Sequence, residues 1–236
     1  MFNLFKLYPE LVADLSQRSD GNMRLMESNP AAADNRSAFI RSLGLEGEAW
    51  VRSENTHSRH VLVVDNTNQG QVITDVDGLI TRSVGLSLTC AVADCLPLYF
   101  YEPKSGAIGL AHAGWRGVYA NIASVMVDTF VQTFQAKPAD IVVGVGPGIG
   151  VCHFEVKPEV AERFKGYAQG FASYSDYIFR TTDGITFIDL KGIVRQQLQA
   201  KGILPDHIEI NADCTYDEKE KYFSRRRDAP VLEAMI

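Results

Sequence analysis

The sequence predicts an α+β fold on three observations. Short apolar and aromatic segments crowd together from His60 to Gly114, helical periodicity follows, and strands and helices then recur without regular alternation. Up to Leu45 the chain is least regular, with polar, turn-like stretches at Ser16–Asn22 and Glu27–Arg36 that are expected to lie over the core as loops. HVLVVD from His60 reads as a strand, NTNQGQ as a turn, and QVITDVDGLIT as short strands broken by Asp-Gly. GLSLTCAVADC, LPLYFYE and AIGLAHAG continue the strand pattern, with a turn from Pro103 to Gly106. Ile122, Met126, Phe130 and Phe134 recur beside Val127 and Val131, which predicts an amphipathic helix of about five turns. IVVGVGPGIG reads as a buried strand entering a glycine turn and KPEVAERFKGY as a short helix. FIDLKGIVRQQLQAKG reads as a strand end followed by a helix, and HIEINADC as a last strand.

Composition narrows the function classes. The 236 residues, 46% hydrophobic and 22% charged, suit one globular domain spanning residues 1–236. A net charge of -6 excludes the broad electropositive footprint of a nucleic-acid binder. The longest apolar stretch, Val84 to Tyr101, is interrupted by Ser87, Thr89, Asp94 and Pro97, so it reads as two buried strands joined by a turn and not as a membrane span. The N-terminus has a single Lys, no long apolar core and no small-residue cleavage pattern, which makes the cytoplasm the expected location. Cys90, Cys95, Cys152 and Cys214 include no C-x-x-C pair and are expected to be core residues, ligands or nucleophiles, not disulfides.

Several segments carry residues suited to chemistry. His57 in ENTHS, Cys95 in ADCLP and His112 in AHAGWRG are separated by 38 and 17 residues, so any shared site must be assembled by the fold. Two imidazoles and a thiolate suit a catalytic metal that keeps one position open, with Zn²⁺ the first choice and Cu²⁺ the alternative. Spacing alone does not establish a metal site and favours a buried, inert Cys95 with two hydrogen-bonded loop histidines. In AHAGWRG, glycines and alanines surround His112, Trp115 and Arg116 where a strand meets a helix, leaving room for a ligand and offering a positive helix end beside Arg116 to an anion. GVGPGIGVCHFEV lacks the Gly-Lys-Ser/Thr ending of a P-loop. Its Cys152 and His153 are neighbours whose side chains would diverge in an extended segment, and Glu155 is a candidate general acid or base. Near the C-terminus, Arg225, Arg226 and Arg227 follow Tyr222, Phe223 and Ser224, where one or two guanidiniums can join Arg116.

Taken together, ADCLPLYF, AHAGWRG, GVGPGIGVCHFEV and CTYDEKEKYFSRRRD resemble the YfiH family over about residues 50 to 228. That family has been described as laccase-domain or multicopper polyphenol oxidase proteins, as purine nucleoside phosphorylases and as a peptidoglycan-editing factor. The resemblance implies a layered α/β/β/α sandwich with mixed β-sheets, and metal ligands at His57, Cys95 and His112. It carries the family's HAGWRG arginine onto Arg116 and its FSxRRD element onto Phe223, Ser224, Arg226, Arg227 and Asp228. Asn55-Thr56-His57-Ser58 stands where the family has a QVHG-like segment, Ser16-Gln17-Arg18 stands for an STR-like element, and APVLEAMI replaces the usual Gly-Arg-containing tail.

The activity so implied is phosphorolysis of adenosine, inosine, guanosine or methylthioadenosine together with hydrolytic deamination of adenosine. Purine nucleoside and phosphate would be the partners, with no nucleic acid and no membrane. For deamination, a metal would activate water while Asp94 or Glu155 moves protons. For phosphorolysis, Arg116 with Arg226 or Arg227 would hold phosphate against the sugar C1′. Competing classes are a Cys-His hydrolase or amidase acting on cell-wall precursors through Cys95 or Cys152, and a binding module without turnover. Copper-dependent phenol oxidation, as in laccases, needs several copper centres, which five histidines cannot supply.

Overall fold

A computed structural model describes residues 2–46, 49–165, 174–180 and 183–236. In chain order the elements begin with α1 (Ala32–Ser42), β1 (Trp50–Ser53), β2 (Val61–Val63), β3 (Val72–Ile73), β4 (Gly78–Thr81) and β5 (Ser87–Thr89). Next come β6 (Leu96–Glu102), β7 (Ala107–Ala113), α2 (Trp115–Tyr119), α3 (Ile122–Phe134) and β8 (Val142–Val145). They are followed by β9 (Glu155–Val156), α4 (Pro158–Lys165), β10 (Ile178–Arg180), β11 (Thr186–Ile188), α5 (Leu190–Ala200), β12 (Ile208–Ile210) and α6 (Arg225–Asp228).

The expected mixed α+β architecture is the one observed. A six-stranded sheet in the order β12-β8-β6-β7-β4-β2 forms the centre, antiparallel through β8, β6, β7 and β4 and parallel at both ends. Every residue of β6 is buried because both faces of the sheet are covered. Alternation then sorts its side chains: Leu98 and Phe100 join the core beneath the helices, while Tyr99 joins Phe2, Phe5, Leu15 and Met235 on the other face. On the helical side, Ile122, Met126 and Phe130 of α3 are fully buried, each worth about 1.5–3 kcal/mol of transfer free energy. Gly109 of β7 makes this approach feasible, since a Cβ there would lie 2.8 Å from the Met126 methyl. Opposite, a parallel three-stranded sheet β3-β1-β5 packs Val51, Leu86 and Leu88 against Leu79. Beyond it, α1 lends Phe39 and Ile40 to a cavity of about 320 Å³ that Leu86, Tyr99 and Leu110 also line.

Several expectations need adjustment. The Glu27–Arg36 stretch is not all loop, because α1 starts at Ala32 and buries Arg36 and Ile40. The N-terminal segment also supplies the core itself through Phe2, Phe5 and Leu15. The single long helix divides into α2 and α3, since Asn121 takes a left-handed conformation (φ 64°) that ends one helix and starts the next. Of GLSLTCAVADC only Ser87–Thr89 is strand, and the remainder loops toward Cys95. The short helix foreseen in KPEVAERFKGY is α4, and its last two residues lie outside the described residues. Among the described residues, no helix is long and apolar enough to cross a membrane.

Candidate active site

Two neighbouring strands deliver two of the candidate donors to one sheet end. Pro97 of β6 pairs with His112 of β7, so Cys95, two residues earlier, arrives beside His112. His57 comes from a tight turn in which Asn55 (φ 66°) and His57 (φ 61°) both adopt left-handed backbone, a costly conformation that only surrounding contacts can hold. Those contacts converge on Asp77, whose side chain is fully buried just before β4. Its Oδ1 accepts from His57 N (3.0 Å) and its Oδ2 from Ser58 N (2.7 Å), Ser58 Oγ (2.8 Å) and Thr56 Oγ1 (2.9 Å). His112 Nδ1 lies 2.8 Å from the same Oδ1, and because an ionised carboxylate only accepts, Nδ1 carries the proton and Nε2 is left for other partners. The rings of His57 and His112 stand 4.9 Å apart, and donor atoms of His57, Cys95 and His112 lie within 4.8 Å of one another.

Charges within this cluster reinforce one another. Burial alone would raise the Asp77 carboxyl, but bonds from His112 and Ser58 outweigh it and hold it well below the usual carboxylate range. Burial likewise opposes ionisation of Cys95, yet the adjacent His112 and His57 bring its thiol down to about 6. His112, disfavoured as a cation by burial, is raised to about 9 by Cys95 and Asp77. The two shifts run in opposite directions, the thiol down and the imidazole up, so each charged form favours the other beside a buried carboxylate.

The same residues fit a borderline-soft metal ion. They offer one thiolate and two imidazoles, and Asp77 fixes the tautomer of His112 as outer carboxylates do at metal-bound histidines. Gly114 is required for this geometry, since a Cβ there would lie 2.5 Å from His57 Nδ1 and 3.0 Å from Cys95 Sγ. Three protein donors would leave an ion one coordination position open, and Cys95 also lines the adjoining cleft.

That cleft, of about 310 Å³, is lined by Asp94, Cys95, Trp115, Phe154, Arg225 and Arg226 among others, a volume at the small end for a small-molecule pocket. Asp94, with φ 81°, makes the turn that presents Cys95. Its carboxylate accepts from Thr215 Oγ1 (2.7 Å) and from Arg226 N (2.6 Å), which ties the C-terminal segment to the cleft. Arg116 is exposed on α2 and stacks on Trp115, its guanidinium carbon 4.2 Å from the ring centroid. Arg226 donates to the carbonyls of His153 and Glu155 across the rim.

Other candidates fall elsewhere. Arg227 turns inward, and its five N–H donors are taken by Asp228 (two bonds), Thr215 O, Tyr216 O and Tyr222 O, so a role for it in holding phosphate is replaced by bracing the loop. Glu155 is exposed, and its carbonyl, not its carboxylate, meets Arg226; it does not line the cleft, which counts against a catalytic role. Cys152 and His153 sit in a turn instead of an extended segment, so their side chains converge. Ser16 and Arg18 do reach the C-terminal element: Ser16 Oγ accepts from Ile236 N, and Arg18 pairs with Asp228 and covers the Phe223 ring. The cleft also takes in Trp115 and Arg225, and the site gains Asp77, for which the sequence carries one signal, an acidic residue directly before a buried strand.

Comparison with known proteins agrees with this architecture. The family model described as multi-copper polyphenol oxidoreductase laccase matches residues 18–232. The chain is 36% identical over 211 residues, 86% of this chain and 76% of the relative, to a protein of Geobacillus stearothermophilus named purine nucleoside phosphorylase YlmD. The crystal structure of YlmD from that organism superposes with a TM-score of 0.89 at 31% identity, covering 96% of this chain and 91% of that one. Adenosine deaminase RL5, from an unknown prokaryotic organism, is 31% identical over 203 residues, 82% of this chain and 76% of the relative.

Proposed function

Because the chain belongs to the multi-copper polyphenol oxidoreductase laccase family, we propose that it is a metal-dependent purine nucleoside enzyme. Its reactions are phosphorolysis of adenosine, inosine, guanosine and methylthioadenosine and hydrolytic deamination of adenosine. The observation that carries this reading is the convergence of His57, Cys95 and His112, braced by buried Asp77, on a cleft whose rim bears an aromatic face and arginines. The names of relatives as phosphorylase and adenosine deaminase support both reactions.

His57, Cys95 and His112 would hold Zn²⁺, with Cu²⁺ the alternative, and the ion would supply a Lewis acid at the head of the cleft. Trp115 offers its ring to the purine, and the stacked Arg116 keeps that ring in place. Arg226 spends three N–H groups on carbonyls, leaving Nε and one Nη2 hydrogen to meet phosphate together with Arg116. Phosphate gripped in this way is set against the sugar C1′, so positioning and charge neutralisation provide most of the rate. Among the described residues lining the cleft, Asp94 alone bears a carboxylate; in hydrolysis it takes a proton from water and returns it to the leaving amine. Phe154 and Leu190 close the apolar side against bulk water.

Adenosine turnover with and without phosphate, with metal content measured on the same protein, tests the proposal. Adenine release that requires phosphate marks phosphorolysis, and inosine marks deamination. Metal-loaded protein that turns over no purine nucleoside sinks the reading.

A second reading rests on one observation: thiolate Cys95, His112 and Asp77 also form a Cys-His-Asp sequence of the kind that cysteine hydrolases use. Hydrolysis of a cell-wall amide by chelator-treated enzyme, lost on alkylation of Cys95, would favour it. Loss of that activity on metal removal would exclude it.

A further inference from the structure

The glycine turn after β8 and the segment after β12 meet in a second cluster of donor side chains that the proposed reactions do not use. A parallel bridge joins Gly148 to Cys214, and Gly150 N donates to Cys214 Sγ at 3.2 Å. Around that sulfur stand Cys152, His153 and Asp217, each with a donor atom within 4.8 Å of the others. We propose that Cys152, His153, Cys214 and Asp217 form a second, closed, tetrahedral site for a divalent cation of the zinc type, tying these two segments together at the rim of the cleft.

Both spacing and donor chemistry carry this assignment. Tetrahedral Zn²⁺ with arms of about 2.0–2.3 Å places its ligand atoms about 3.3–3.8 Å apart. Cys152 Sγ lies 3.3 Å from Asp217 Oδ2, His153 Nδ1 lies 3.4 Å from the other oxygen of that carboxylate, Oδ1, and 3.9 Å from Cys214 Sγ, so each Asp217 oxygen already meets one of the other ligands and the remaining gap closes with a small side-chain shift. Two sulfurs, one imidazole nitrogen and one carboxylate oxygen complete four-coordination with no position left over, the mark of a structural and not a catalytic ion. The backbone is shaped to admit them: a Cβ on Gly150 would lie 3.0 Å from Cys152 Sγ and 3.5 Å from Cys214 Sγ. The His153 ring is held in position by stacking on Tyr216, 4.1 Å away and tilted by only 14°.

Such an ion would reach the cleft through short links. His153 O accepts from Arg226, Phe154 and Ile149 line the cleft, and Ile149 N donates to Asp94 O. Fixing the turn therefore fixes Arg226 and the loop that presents Cys95. The competing fate of two adjacent thiols is a Cys152–Cys214 disulfide, which would consume two ligands.

Cobalt and zinc titration of reduced, metal-stripped protein tests the site. With Cys95→Ser removing the thiolate of the first cluster, one equivalent of Co²⁺ should still bind with the near-ultraviolet thiolate-to-cobalt charge-transfer band. Adding Cys214→Ser should abolish that equivalent. Native mass spectrometry of the wild type loaded with Zn²⁺ guards against a misfolded variant: two ions per chain are expected. Cys95→Ser protein that binds no Co²⁺ with a thiolate band overturns the proposal. So does a wild-type count of one that Cys95→Ser removes, or disulfide formation between Cys152 and Cys214 at equal rates with and without Zn²⁺.

Discussion

Replacing Asp77 by asparagine preserves the shape of the side chain while removing its charge, so the loss can be worked from the bonds it accepts. Oδ1 serves His112 Nδ1 and His57 N, and Oδ2 serves Ser58 N, Ser58 Oγ and Thr56 Oγ1. An amide presents only one oxygen to these donors. Turned with that oxygen toward His112, it points hydrogens at Ser58 N, whose bond is lost, while the two hydroxyls rotate to accept. Turned the other way, it strands His57 N and donates to His112 Nδ1, which forces the imidazole proton onto Nε2 and removes the lone pair a metal needs. A buried N–H without an acceptor costs about 1–3 kcal/mol, and loss of the charge assistance adds about 1–2 kcal/mol, so metal-free Asp77→Asn protein should be less stable by about 2–5 kcal/mol. Its zinc affinity should fall about 10–100-fold, as for other outer-shell carboxylates. Denaturant unfolding of the metal-free proteins near neutral pH and competition with a chromophoric zinc chelator measure the two losses. The pH dependence follows from the sign of the shift: the folded value of Asp77 lies below its unfolded value near 4, so its stabilisation is whole above about that pH. It is lost as pH falls through the folded value, and the gap between wild type and variant closes in strong acid. A stability loss under about 1 kcal/mol with zinc affinity unchanged within about twofold would refute the reasoning.

Gly114→Ala should lower zinc affinity at least about tenfold while leaving the fold intact, because the new methyl would sit 2.5 Å from His57 Nδ1; full metal loading would show that the turn yields freely. Arg226→Ala and Arg227→Ala should separate cleanly. The first should raise the KM for phosphate about tenfold or more, the second should cost about 2–4 kcal/mol of stability with little change in that KM, and steady-state kinetics beside thermal unfolding would expose a reversal. In metal-free protein, alkylation of Cys95 should follow a midpoint near pH 6, because His112 and His57 hold its thiol at about 6. His112→Ala should move that midpoint upward and Zn²⁺ should protect the thiol, whereas a wild-type midpoint above about 8 would contradict the electrostatics.

Much of this protein was legible along the chain. The short apolar and aromatic runs LPLYFYE and AIGLAHA yield β6 and β7 because a strand buried on both faces shows itself as such a run, and the spacing of Ile122, Met126 and Phe130 yields α3 because those side chains share one helix face. Both signals are local. Cys95 and His112 were identifiable because each sits in a short segment with its own distinctive neighbours, and the register of two adjacent strands then brings them together.

What tertiary structure decided depends on partners far apart in sequence. An acidic residue directly before a buried strand is the one local sign of Asp77, and its role as the acceptor for His57 and His112 is visible only once the loops around it are assembled. Three adjacent arginines look alike in sequence, yet α6 directs Arg227 inward onto four residues while Arg225 and Arg226 line the cleft. Cys152 and His153 would diverge in a strand and converge in a turn, and the glycines that permit both leave the choice to the contact with Cys214 and Asp217. Sequence alone determined the two central strands β6 and β7 and the main helix, because periodicity and local composition are properties of contiguous residues, while His57, Cys95 and His112 were joined only by the resemblance to the YfiH family. Folding decided which carboxylate braces that cluster, which arginines line the cleft and where a second set of donors gathers, because those depend on distances that only the packed sheet sets.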